Sequence, residues 1–175
     1  MMKLKILLLF LFISITARSQ ETMTFKAKNY KATSVWNFIT PNYALTNEVK
    51  VQIAKTENGG ILKLSAATTN TNFILSGTVY VYLSDNSFIS CTDKGIFENS
   101  QNTLNSYFVF TAAEMTKLKQ SNIASIRFNI KGTSNDFSSQ TGNFTAINKQ
   151  SNFTMTHTNS KNTFDTVKEI SSLYL

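Results

Sequence analysis

The 175-residue chain reads as an α+β domain of predominantly antiparallel β structure, sandwich-like or a sheet with docked helices. Three observations predict that class. Apolar and polar residues alternate with a period of two through most of the chain, as at Val49, Val51 and Ile53 against Lys50 and Gln52. Phe73 to Cys91, FILSGTVYVYLSDNSFISC, combines a long β-rich run, a turn signal and a short return, which is the pattern of a hairpin. Helical spacing occurs at only two places, around Ala112–Gln120 and Asp165–Leu173. The expectation is eight or so strands, one short internal helix and one C-terminal helix.

The first twenty residues, MMKLKILLLFLFISITARSQ, have the three parts of a secretory signal peptide. Lys3 and Lys5 supply the positive end, Ile6 to Ile15 the apolar core, and Ala17-Arg18-Ser19 a small-x-small cleavage site. The core is shorter than the roughly 20 helical residues a membrane crossing needs. Residues 1–19 are therefore read as a signal peptide and residues 20–175 as a single β-rich domain starting at Gln20. This Lys-flanked core ending just before Gln resembles the signals of Bacteroidetes, flavobacteria especially. Cleavage removes Lys3, Lys5 and Arg18, so 14 of 17 basic residues stand against ten acids, a net charge of +4. Cys91 is the only cysteine, which excludes an internal disulfide framework. On a half-buried strand it reads as core packing rather than a reactive thiol.

In chain order, Met23 to Lys28 alternates as a first strand, and Val35 to Ile39 forms a second that ends before Pro41. Trp36, the only tryptophan, reads as a core anchor with its indole N–H paired, against the alternative of a sugar-stacking platform. Val49 to Lys55 and Ile61 to Leu64 make two strands joined at Asn58-Gly59-Gly60. Those glycines lack the GxxxxGK[ST] spacing of a phosphate loop. In the Phe73–Cys91 hairpin, a two-residue Asp85-Asn86 turn sets Leu83 opposite Phe88 and Tyr82 opposite Ile89. Val81, Leu83 and Phe88 then share one face, and Tyr80, Tyr82, Ile89 and Cys91 the other.

After a polar loop from Thr92 to Thr103, Leu104 to Phe110 is a strand with Phe108 and Phe110 opposite Tyr107 and Val109. Thr111 and Glu114 form a T-x-x-E capping box, with Phe110 and Met115 placed for a hydrophobic staple. Ile123 to Ile130 follows as an amphipathic strand. The helix between these strands suits either a parallel crossover or a cap on one end of an antiparallel sandwich. Gly132 to Gly142, GTSNDFSSQTG, carries the clearest loop composition in the chain. Asn143–Asn148 and Asn152–His157 echo each other at nine-residue spacing, which predicts a hairpin; each begins with an N-x-T sequon. Phe164, Val167, Ile170 and Tyr174 recur at helical spacing, with Glu169 too late to act in the cap.

No catalytic, cofactor-binding or metal-binding residue is nominated, and no cofactor. His157 is the sole histidine, and neither G-x-S-x-G nor H-E-x-x-H occurs. Asp85, Asp93 and Glu98 are possible calcium ligands without EF-hand spacing; as solvated turn residues they have a simpler role. Ten scattered acids nominate no glycosidase pair. Lys26, Lys28 and Lys31, flanked by Phe25 and Tyr30, are the nearest approach to a nucleic-acid surface. Export and a single mature arginine weigh against it.

YVYLSDNSFISCTDKG and TAAEMTKLKQSNIASIRFNI, with the early Trp36, resemble small exported proteins of Bacteroidetes. That resemblance implies a periplasmic or secreted stand-alone domain and assigns no site residue. The expected function is a non-catalytic binding or structural module of the envelope or secreted fraction. Its expected partner is an envelope protein or glycan, with no nucleic acid and no membrane anchor after cleavage. Two alternatives stand beside it: an envelope glycan hydrolase using a carboxylate pair, and a subunit of a larger surface assembly. Tyr80 and Tyr82, if exposed on one face, favour the binding module.

Overall fold

The computed structural model describes residues 21–41, 48–100, 102–132, 138–150 and 162–175. The strands are β1 (Glu21–Phe25), β2 (Lys28–Ala32), β3 (Trp36–Ile39), β4 (Glu48–Thr56), β5 (Gly59–Ala67), β6 (Ile74–Leu83), β7 (Phe88–Cys91), β8 (Thr103–Thr111), β9 (Ile123–Lys131) and β10 (Gly142–Ile147). The helices are α1 (Ala112–Leu118) and α2 (Thr166–Ser172). The domain is thus β-dominated α+β, with one internal and one C-terminal helix.

Every strand pairing among the described residues is antiparallel. β4 is the hinge of the arrangement. One of its edges carries β5 and then β8; the other is shared by β3 and, beyond it, by β2 at Ala32↔Ala54. From β3 the sheet continues through β10, β9 and β6 to β7. Inward side chains of β4, β5 and β8 (Val51, Leu64, Phe108) join those of β6, β9 and β10 (Val81, Phe128, Phe144) in one buried cluster. The sheet therefore folds on itself like a sandwich, with alternate residues of both halves supplying the core. Trp36 and Phe38, both at 0% exposure, fill the bend between the halves.

A smaller cluster lies outside this core. The β1–β2 hairpin lays Met23, Phe25 and Ala32 against Ala54, Ile61 and Tyr107, with the Phe25 and Tyr107 rings 4.9 Å apart. This corrects the reading of Met23 to Lys28 as a single strand. Lys26 and Ala27 turn the chain back with φ of 50° and 59°, the left-handed pair of a two-residue hairpin loop. Neither is a turn-forming residue, and packing against the outer face of β4–β5–β8 imposes the reversal.

Gly59 and Gly60 also have a different reason from the one expected. The turn is made by Glu57 and Asn58, and both glycines already belong to β5. A Cβ on Gly59 would strike the Phe110 carbonyl, and one on Gly60 the Met115 sulfur. The glycines permit close approach of β8 and α1.

The capping box of α1 is present as the sequence predicts. The Glu114 amide donates to Thr111 Oγ1 at 3.2 Å and the Thr111 amide donates to Glu114 Oε2 at 2.7 Å. Phe110 and Met115 are both buried in the main core. β8 and β9 do not pair, so α1 connects the two halves of the folded sheet as an end cap and not as a parallel crossover. The α2 cap is Asp165, which accepts from the Lys168 amide at 3.1 Å. Among the described residues no helix is long and apolar enough to cross a membrane.

Candidate functional site

The β6–β7 hairpin departs from its expected register by one residue. Tyr82 stands opposite Phe88 and Val81 opposite Ile89. The loop has three residues, closed by the Leu83 amide donating to the Ser87 carbonyl at 2.9 Å, with Asn86 at φ 67°. Asparagine tolerates this left-handed position, which converts a two-residue turn into a bulged three-residue one. Asp85 holds it by accepting from the Ser87 amide at 2.9 Å and the Ser87 hydroxyl at 2.7 Å. Those bonds, the hydroxyl first, pull its carboxyl below the usual value.

A slip of one residue exchanges the faces of a strand. Ile89 and Cys91 therefore turn inward beside Val79, Val81 and Leu83, while Phe88 turns outward beside the tyrosines. Tyr80, Tyr82 and Phe88 make an aromatic ridge on the outer face, with Phe88 6.2 Å from each tyrosine ring at 60° and 44°. Tyr80 is 36% and Phe88 55% exposed; Tyr82 is half-buried. Neither helix covers the ridge: α1 packs on β5 and β8. Cross-strand neighbours continue it. Tyr80 lies between Ser90 on β7 and Arg127 on β9, and Arg127 lies opposite Thr145 on β10. The ridge thus adjoins a strip of hydroxyl, amide and guanidinium groups, a surface suited to stacking flat apolar faces while hydrogen-bonding their edges.

The sequence placed Tyr80 and Tyr82 together, and they are together. It put Phe88 on the opposite face and did not bring Arg127 to Tyr80. The serine–aspartate–asparagine–serine run around Asn86 is the signal for the longer turn that corrects Phe88.

Trp36 is buried, with its indole N–H donating to Glu169 Oε1 at 2.9 Å. It is the core anchor and not an exposed platform. Glu169 Oε2 also accepts from the Ser34 amide at 3.0 Å and the Ser34 hydroxyl at 2.6 Å, which ties α2 to the break between β2 and β3. That role of Glu169 has no local sequence signal. Cys91 is 2% exposed; burial first, then the charge of Glu114, pushes its thiol up to about 12, the opposite of an activated nucleophile.

The other acids are distributed over structural tasks. Asp93 accepts from the Gly77 and Gly95 amides at 2.9 and 2.7 Å, and Glu98 accepts from the Tyr107 hydroxyl at 3.1 Å. Glu57 pairs with Lys28 at 3.6 Å. Among the described residues no three of His, Cys, Asp and Glu are grouped to hold a metal ion. Lys26 and Lys28 lie over the rings of Phe25 and Tyr30, each at 5.5 Å, while Lys31 donates to the Ser172 carbonyl at 3.3 Å. A depression of about 90 Å³ on the opposite outer face is lined, among the described residues, by Val35, Lys50, Gln52, Lys63 and Ser65, none of them a carboxylate. The expected signal peptide, His157, the second echo at 152–157 and residues 133–137 of the long loop lie outside the described residues.

No protein-family model, no curated protein and no solved structure matches this chain.

Proposed function

We propose that this protein is an exported, non-catalytic binding module of the cell envelope or secreted fraction, and that its partner is a glycan. The observation that carries this reading is the uncovered ridge of Tyr80, Tyr82 and Phe88. Folding ordinarily turns such rings inward, as it does here for Trp36, Phe108 and Phe128. Three adjoining rings left facing solvent form a contiguous apolar patch, which in a soluble domain marks an interaction surface. Sugar rings fit it because their C–H faces stack on aromatics while their hydroxyls meet the Ser90, Arg127 and Thr145 side. Export is supported by the signal pattern of residues 1–19.

The test is retardation of the mature protein in native gels cast with polysaccharides from the envelope. Retardation should be lost on Tyr80→Ala and Phe88→Ala and kept in Val109→Ala, an exposed apolar control at 41%. A hot-spot aromatic is worth about 2 kcal/mol or more, so affinity should fall at least about thirtyfold. Retardation that survives both substitutions, or glycan turnover abolished by replacing an acid, rejects the proposal.

A further inference from the structure

Resting on that reading, we infer that the glycan is acidic, and that Arg127 and Lys131 read its anionic substituents beside the aromatic ridge. On β9, residues 125, 127, 129 and 131 alternate with the buried Ile126, Phe128 and Ile130, so Arg127 and Lys131 share the outer face. Arg127 is the cross-strand neighbour of Tyr80. Arg127 and Lys131 are both exposed. Neither makes a side-chain hydrogen bond or ion pair among the described residues.

Among the described residues, the outward positions of β6, β7, β9 and β10 carry no acid. Those positions are mainly aromatic, hydroxyl or amide, with Ile74 and Ile147 as apolar members beside the two cations. The acid nearest the ridge, Asp85, lies in the β6–β7 turn and is engaged by the Ser87 amide and hydroxyl. A neutral glycan would leave Arg127 without a counter-group. A carboxylate or sulfate on the sugar supplies the planar or clustered oxygens that a guanidinium grips with parallel hydrogen bonds.

Spacing adds a second constraint. Four residues along a strand separate Arg127 from Lys131 by about 13 Å. That distance is longer than one sugar ring, so the two cations fit successive charged residues of a polymer and not one monosaccharide. The ligand class is therefore a polyanionic polysaccharide lying along β9, with its sugar faces turned toward Tyr80 and Phe88.

The experiment uses the mature protein with polygalacturonate, hyaluronate and dextran sulfate as acidic probes. Dextran and fully methyl-esterified polygalacturonate serve as neutral ones. Wild type should bind at least one acidic probe about tenfold more tightly than its neutral counterpart, with the preference fading as salt rises. Arg127→Gln should remove that preference, and Arg127→Lys should restore only part of it. Lys50→Gln, which makes the same change in net charge on the opposite outer face, should leave it intact.

Equal loss with Lys50→Gln would mean diffuse attraction to a basic protein and would overturn the assignment. So would binding to vesicles containing phosphatidylglycerol but to none of the acidic polymers. Neutral probes bound as well as acidic ones, with Tyr80→Ala abolishing both and Arg127→Gln neither, would overturn the acidic ligand and leave the aromatic glycan reading standing. Acidic binding lost on Arg127→Gln but untouched by Tyr80→Ala would do the reverse.

Discussion

Ala27 holds a left-handed backbone at φ 59° with no side-chain compensation of the kind asparagine provides. For an L-residue the clash of Cβ with the carbonyl costs about 1–2 kcal/mol. Ala27→Gly removes the clash, offset in part by glycine's greater freedom in the unfolded chain. The net expectation is a gain of about 0.5–1 kcal/mol, seen as a higher midpoint in reversible urea unfolding. A midpoint that falls would contradict the turn. Two other residues set the alkaline limit. Burial, then the charge of Glu98 and its hydrogen bond, push Tyr107 from 10.0 up to about 12, while Cys91 moves from 9.0 to about 12. In both, folding favours the protonated form. Their contribution is complete below the ordinary values and disappears as pH rises through the shifted ones. Stability should decline between pH 9 and about 12, and the decline should be shallower in the Tyr107→Phe, Cys91→Ala double variant.

Among the elements, α2 is only seven residues long and is held by side chains more than by its own hydrogen bonds. Thr166 Oγ1 accepts from the Ile123 amide at 2.9 Å, and Glu169 takes three donors from Ser34 and Trp36. Glu169→Gln keeps the volume but gives up the charge-assisted bonds, with an expected loss of about 1–3 kcal/mol. Because Trp36 is the only tryptophan, its fluorescence reports the same event. Unchanged stability and unchanged emission would mean that the tie does not hold the helix. The sequence made α1 legible because its capping box and the staple residues lie within the six positions from Phe110 to Met115. It made β4, β5, β8 and β9 legible because each buries alternate side chains in one core. It did not reveal the β1–β2 hairpin, whose cause is the distant trio Ala54, Ile61 and Tyr107. Nor did it reveal the phase of β7, which turns on the φ of one asparagine. For the candidate site, the tyrosines followed from alternation. Their junction with Arg127 needed a non-local β6–β9 pairing, including the register shift between Ser76 and Tyr80.

For the whole molecule, the two outer faces of the folded sheet differ in character. The β4–β5–β8 side is covered at one end by the β1–β2 hairpin, while the β6–β7 side is left open with its aromatics and cations. The proposed binding role goes with the proposed export, which has its own check. Mass analysis of the protein recovered from the producing cell should show a chain starting at Gln20, lighter by about 2 kDa. Intact Met1 in an integrated membrane fraction would contradict cleavage. The tie between α2 and the start of β3 has a kinetic consequence as well. Trp36 and Ser34 find their partner 133 and 135 positions later in the chain. β3 likewise pairs with β10, the last of the described strands in chain order. Closing such long loops loses chain entropy before any contact repays it, which places domains of this kind among the slower, millisecond-to-second folders. A chain emerging N-terminus first from a ribosome exposes Trp36 well before Glu169 exists to receive it. Folding to completion is thus withheld until α2 has emerged, so Trp36 waits unpartnered through most of the chain's synthesis.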